Sequence, residues 1–359
     1  MAGSNTLSKM PEHPSIRSLA KKAGVSTATV SMALRNHPRI SSEVRARIQR
    51  LATIEGYTGN PLVANLLTQL RLTKTATYQS TLGLLIFGDS PALLKDSHTF
   101  RDWVTGCEAR AKSLGYGMDH FSLGDPGISP QRFAKILEAR NIRGLIVFGL
   151  FEGNVIPKEF DILWKHHAAT VIGSHSVRPP LSWVSNDQFS TAAYAVEELF
   201  RLGYRCPALC LNANVDARVD YRFSGGFHVA LGKLGLKSSI PVFAIDGGAR
   251  KRFESWVKKH RPDVILTIDP GIKPWVEAIG MRVPRDIGLV NLDNVPDEDG
   301  WAGMIQNNEN IGSAAVDVVV GQINRNEMEI PPFQKCVLIS STWTHGKTIR
   351  AAVSRKPVS

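Results

Sequence analysis

The chain has 359 residues, of which 43% are hydrophobic and 21% charged, and a formal net charge of +11. That balance excludes a disordered polypeptide, and the length suits two or three domains. No apolar run approaches the roughly 18 residues of a transmembrane helix, and residues 1–14 read as a loose arm with no apolar signal-peptide core, so a cytoplasmic location away from membranes is expected.

The charge is unevenly placed. Residues 1–72 hold ten Lys and Arg against three acids, Glu12, Glu43 and Glu55, while the remainder is nearly balanced. A compact basic head on a near-neutral body suits a phosphate-binding module on a carrier.

Three short helices are predicted in the head. Ser15 caps the first, whose apolar positions Ile16, Leu19, Ala20 and Ala23 share one face, and Gly24 ends it. Ser26 caps a second, with Val30, Ala33 and Leu34 inward and Thr27, Ala28, Thr29, Ser31, Met32 and Arg35 outward. Asn36-His37-Pro38 breaks it. Ser41 or Ser42 starts a third, with Val44, Ile48, Leu51 and Ala52 inward and Arg45, Arg47 and Arg50 outward. Two helices joined by a tight Gly-x-Ser turn are a helix-turn-helix, which lays its second helix in the major groove. The outward face of that second helix carries no acid, which favours DNA over a purely structural bundle.

The stretch SIRSLAKKAGVSTATVSMALRNHPRISSEVRARIQRLATIEGY, followed by GNPLVANLLTQLR, resembles the head of the lactose-repressor/galactose-repressor family of bacterial regulators. The resemblance implies a helix-turn-helix DNA-binding domain over 15–58 and a hinge over 59–72. It places Thr27, Ala28 and Met32 at base edges and Ser26, Thr29 and Ser31 at phosphates or caps, with Arg35 where the family often has Asn. Asn60 counts with the DNA-binding residues. Leu66 matches a hinge leucine that wedges into the minor groove, and Val63 replaces the usual small alanine beside it. Ala28 and Met32 offer thymine methyls an apolar contact rather than hydrogen bonds.

From residue 81 short apolar runs alternate with amphipathic stretches. Strands are predicted at 82–87, 117–122, 144–148, 170–173, 207–211, 242–245, 264–268 and 288–292. Helices are predicted at 100–114, 130–140, 191–202, 223–234 and 250–260. This alternation predicts parallel sheets with helices on both faces, and a ligand cleft at the strands' carboxyl ends. The expected fold is thus an all-α head on an α/β body of two doubly wound parallel-sheet lobes.

The body, 80–359, also resembles the family's effector-binding and dimerisation core, which is similar to periplasmic sugar-binding proteins. The carrying segments are GMRVPRDIGLVNLDN and MIQNNENIGSAAVDVVVGQI. The resemblance implies three crossings between lobes, lobe one spanning about 80–199 and 307–337 and lobe two about 200–306 and 338–359. It turns Asp187 and Asp293 toward an effector, with Arg222 as a candidate cation one place from the family's arginine position, which holds Phe223. Phe87, Trp103 and Trp183 are candidate stacking surfaces, and Trp301 sits in a loop the family uses at its dimer contact.

The implied protein is a homodimer, with a tetramer also open, that binds a palindromic operator under a small-molecule effector, mostly a sugar or related metabolite, and most simply as a repressor. A solute-binding protein and a sugar-metabolism enzyme are the rival readings. No G-x-S-x-G, H-E-x-x-H or paired C-x-x-C motif supports catalysis, and His345-Gly346-Lys347-Thr348 lacks the first glycine of a phosphate loop. Cys107, Cys206, Cys210 and Cys336 are scattered and read as reduced thiols, so no metal or cofactor is expected.

Overall fold

The computed structural model describes residues 15–34, 36–55, 57, 80–87, 94–95, 97–123, 129–149, 152–236, 240–295 and 300–351. The head folds as three helices, α1 (Ile16–Ala23), α2 (Thr27–Leu34) and α3 (Ser42–Ile54). Ser15 and Ser18 form a capping box on α1, and Gly24 closes it in the left-handed region at φ 66°. Leu19, Ala20, Val30, Ala33, Ile48 and Ala52 make the small core.

Lobe one is a six-stranded, wholly parallel sheet. Its strands are β1 (Ser80–Phe87), β2 (Tyr116–Ser122), β3 (Gly144–Gly149), β4 (Ala168–Ile172), β5 (Ser182–Asn186) and β11 (Cys336–Ile339), in the order β11-β5-β4-β3-β1-β2. Strand β1 explains its own sequence. Leu82, Leu84 and Ile86 enter the core on one face, while Leu85 and Phe87 enter the core on the other. A strand covered on both sides reads as a continuous apolar run. One face is covered by α4 (His98–Ser113) and α11 (Asn308–Arg325), and the other by α5 (Pro130–Ala139) and a 3-10 helix, Lys158–Lys165.

Helices α4 and α11 touch backbone to backbone. A Cβ on Gly106 would lie 2.0 Å from the Glu309 carbonyl oxygen, and one on Gly312 would lie 2.1 Å from that of Trp103. Glycine at both positions is what permits this approach.

Lobe two holds β6 (Pro207–Asn212), β7 (Phe243–Ile245), β8 (Val264–Thr267), β9 (Gly288–Asn291), β10 (Ala302–Ile305) and β12 (Thr342–Thr344), in the order β12-β10-β9-β8-β6-β7. Only its edge strand β12 runs antiparallel, against β10. Helices α6 (Gln188–Arg201) and α8 (Arg222–Lys233) cover one face, and α9 (Ala249–His260) and α10 (Ile272–Ala278) the other. The short helix α7 (Ala213–Arg218) follows β6.

Helix α6 corrects the expected lobe boundary. Ala192, Ala195, Val196 and Leu199 pack in the second lobe's core, so the chain crosses at Asn186-Asp187 and not near residue 200. Strand β11 likewise carries lobe one to Ile339. The crossings are tied together. Asn186 Nδ2 donates to the Ser341 hydroxyl at 2.8 Å and to the Ile339 carbonyl at 3.0 Å, and Asn307 Nδ2 donates to the Ser340 carbonyl at 2.8 Å. The lobes therefore meet at a hydrogen-bonded hinge of adjacent connections.

Candidate functional site

The head presents α2 as a small, hydroxyl-rich surface. Ser26 Oγ accepts from the Thr29 amide at 3.1 Å and lies 2.8 Å from Thr29 Oγ1, capping the helix from outside. Ser26, Thr27 and Ala28 are exposed, and Thr29, Ser31 and Met32 are half-buried. Arg17, Lys21, Arg39, Arg47 and Arg50 of the same head are exposed. Lys22 forms the ion pair found among the described head residues, with Glu55 at 2.5 Å. The head thus keeps a surplus of cations for phosphates.

Arg45 departs from its expected outward role. Its Nη2 donates to the Ile40 carbonyl at 3.0 Å and reaches the His37 carbonyl at 3.4 Å, and its Nε is buried. It braces the 37–40 turn from beneath instead of facing solvent. Arg35, Asn60 and Leu66 lie outside the described residues, as does the hinge expected over 59–72.

Between the lobes lies a cleft of about 600 Å³. Carboxyl ends of strands supply its floor through Gly149, Ile172, Ile268 and Asn291, as the topology requires. The N-terminal turns of α4 supply Thr99, Phe100 and Trp103, and lobe two supplies Arg218, Phe223 and Trp301.

Asp293, at the mouth of β9, reaches across the cleft. Its carboxylate accepts from Thr99 Oγ1 at 2.6 Å and from Asn308 Nδ2 at 3.1 Å, and stands 3.5 Å from His98 Nε2. Asn308 in turn accepts from the Trp103 indole at 3.2 Å. The pairing with Asp293 raises the His98 pKa from its ordinary value, against the lowering effect of burial. Burial likewise raises the pKa of Asp102 on the next turn of α4. One carboxylate therefore links the two lobes through three side chains of lobe one.

The six side chains expected at an effector divide. Asp293 and Trp103 line the cleft. Asp187 caps α6 by accepting from the Ser190 amide at 3.2 Å and is not among the lining residues; its neighbour Gln188 is. Arg222 lies over the Trp183 ring, 5.1 Å from its centroid, so both are spent on a contact between lobes outside the cleft. Phe87 packs edge-on against Phe160 in the lobe-one core. Trp301, expected at a dimer contact, is buried in the lobe-two core and lines the cleft.

The sequence model described as "Bacterial regulatory proteins, lacI family" matches residues 15–60, the span of the three-helix head. The head is thus similar to those of bacterial regulatory proteins of the lacI family. The chain is 23% identical over 293 residues to the NTD biosynthesis operon regulator NtdR of Bacillus subtilis (strain 168), covering 78% of this chain and 83% of that protein. Its fold is that of the transcriptional regulator CelR in complex with cellobiose, with a TM-score of 0.60 at 17% identity over 93% of this chain and 99% of that one. A lac repressor dimer bound to operator and an anti-inducer superposes with a TM-score of 0.56 at 17% identity, over 95% of this chain and all of that one.

Sequence reasoning missed His98, Thr99, Gln188 and Arg218. Each sits at a helix end beside the hinge or the cleft, and only the pairing of two distant lobes shows what it faces. The signal that could have found the first two is the helix start that follows β1, because ligands on this architecture meet the first turns after strands.

Proposed function

We propose that the protein is a transcription regulator of the lacI family, which binds a palindromic operator as a homodimer and is controlled by a small molecule held between its lobes. The observation that carries this reading is a lacI-family helix-turn-helix head on a two-lobed core with an open cleft at the strand ends. Two heads on a two-fold axis would meet two half-sites of one palindrome. Thr27, Ala28 and Met32 face base edges, Ser26, Thr29 and Ser31 face phosphates, and Arg35, Asn60 and Leu66 complete the contact from the end of α2 and the hinge. Repression is the simplest mode of control, by occupation of the operator. CelR with cellobiose and the lac repressor with its anti-inducer support an effector of sugar size in the cleft.

Asp293 and Trp103 are the effector-site residues kept from the sequence. Ligand would change the closure of the lobes about the hinge, and hence the separation of the two heads. The coupling is reciprocal, so DNA changes ligand affinity by the same factor. The chain acts by binding and not by catalysis, in the cytoplasm where its DNA lies. Among the described residues no helix is long and apolar enough to cross a membrane. The division of the chain is an arm at 1–14, a head at 15–58, a hinge at 59–72 and a core from 80.

The test is a gel shift with palindromic duplexes chosen from a random pool, together with one carrying a central C-G step, at low and moderate salt. A selected palindrome should be retained at moderate salt and random duplex released. A folded, dimeric protein that prefers no duplex over another would end the proposal. Leu66→Ala should weaken specific binding far more than non-specific binding.

A further inference from the structure

The cleft contains a cation that no acid among the described residues answers. Arg218 ends α7 and lines the cleft. Its Nε donates to the Asn214 carbonyl at 3.3 Å, a bond along its own helix. Its own carbonyl accepts from Asn154 Nδ2 of the other lobe at 2.7 Å, which fixes the backbone where the lobes meet. No ion pair involves Arg218 among the described residues. Acids near it in the chain, and Asp269 after β8, are engaged elsewhere. Asp216 accepts from the Ser224 amide, Asp220 pairs with His175 at 3.0 Å, and Asp269 accepts from the Gly271 amide at 2.8 Å. Asp293 is held by Thr99, Asn308 and His98. Burial lowers the Arg218 pKa, and no acid among the described residues offsets it.

A second polar group points the same way. Gln188 is 5% exposed, lines the cleft, and its Oε1 has no hydrogen-bond partner. Its orientation is set by a chain of donors. Gln188 Nε2 donates to Ser185 Oγ at 2.7 Å, and Ser185 Oγ donates to the Gly173 carbonyl at 2.7 Å. The hydroxyl proton is spent on Gly173, so the amide must offer its N–H and leave its oxygen free. A buried acceptor of this kind calls for a donor from a ligand.

We propose that the effector is a hydroxycarboxylic acid of sugar-ring size, its carboxylate forked by Arg218 and one of its hydroxyls donating to Gln188 Oε1. A single guanidinium matches a monoanionic carboxylate through two parallel N–H···O bonds. A phosphate dianion would leave one charge unmatched by the single guanidinium, since the other cation lining the cleft, His98, already stands 3.5 Å from the Asp293 carboxylate. Phe100, Trp103 and Phe223 give the ring apolar walls. This inference rests on the reading of the cleft as the effector site and assigns that site a ligand class.

The test uses the full-length protein, followed by tryptophan fluorescence and thermal shift. The probes are D-glucuronate and D-galacturonate, each against its neutral sugar, D-glucose or D-galactose, with D-glucose 6-phosphate as the phosphate arm. At least one uronate should bind tenfold or more tightly than its neutral partner. Arg218→Gln should abolish that preference, and Arg218→Lys should keep part of it. Equal or tighter binding of a neutral sugar, preference for the phosphate, or no response to any probe overturns the proposal. Retention of a selected palindrome is measured on the same samples. Absence of acid selectivity in the parent protein, with operator binding intact, overturns the ligand class while leaving the regulator reading standing.

Discussion

Substituting Gly106 by alanine tests whether packing in lobe one sets the geometry of the cleft. The added Cβ would stand 2.0 Å from the Glu309 carbonyl oxygen and 2.7 and 2.9 Å from its carbonyl and α carbons. All three are backbone atoms and cannot rotate aside. Ordinary contact begins near 3.4 Å, so α4 and α11 must part by about 1 Å, and overpacking of this kind costs about 1–3 kcal/mol. Alanine returns up to about 1 kcal/mol in helix propensity. The expected net loss is about 1–2 kcal/mol, a fall in melting temperature of roughly 2–4 °C for each kcal/mol. The same shift moves the first turns of both helices, which hold Trp103 against Asn308 and Asn308 against Asp293. Thermal unfolding by circular dichroism reads the stability, and tryptophan fluorescence reads the cleft. A variant that melts within about 1 °C of the parent, with unchanged fluorescence, would refute the backbone-contact argument. Adding Gly312→Ala should cost less than its own single effect, because the helices have already separated.

Gly232→Ala in α8 meets nothing within 4 Å and should raise stability by about 0.5–1 kcal/mol, seen as a higher melting temperature. Ser26→Ala removes the acceptor for the Thr29 amide and should cost the head about 1 kcal/mol, with weaker operator binding in a gel shift. Arg50→Gln should reduce the slope of log K against log salt by about 0.9 for each phosphate it no longer neutralises, read from a salt titration of duplex binding. His98 pairs with Asp293 across the lobes, with Arg101 and Asp102 also acting on it. Its raised pKa makes the pair's stabilisation complete below the unfolded value of about 6.5 and lost as pH rises through the folded value. Melting temperatures should therefore fall from pH 6 to 8 more steeply in the parent than in His98→Gln, and parallel curves would remove this pair from the account.

Legibility in the sequence followed how local the deciding interaction was. Ser15, Gly24, Ser26 and Ser41 each act within a turn, and the structure has each at its helix end. The long apolar strands β1 and β3 were legible for the same reason. Strand β5, Ser182–Asn186, was not, because its polar residues are buried by partners far away in the chain. Ser185 bonds to Gly173, and Asn186 to Ser341. The short strands β11 and β12 carry too few residues for a period to show. Arg45 looked like one more outward arginine, and it faces inward because the 37–40 turn leaves carbonyls that α3 does not bond.

The candidate site shows the same division. Asp293 was legible as the residue ending a strand at the cleft. Asp187 was offered by the resemblance alone, just before a predicted helix, and it caps α6, because the chain crosses between lobes just before it and turns its neighbour Gln188 inward. Arg222 was chosen for its distance along the chain from Gly226, but a one-residue offset on α8 carries it to Trp183 and leaves Phe223 facing the cleft.

By itself, the sequence determined that this protein is a basic helix-turn-helix head on a two-lobed α/β body, because capping, hydrophobic period and local charge are properties of neighbouring residues. The tertiary structure alone decided which side chains share the cleft. Arg218, Gln188, His98 and Asp293 come from separate elements on two lobes, and their charges and hydrogen bonds acquire partners, or are left without them, only when those lobes close on one another.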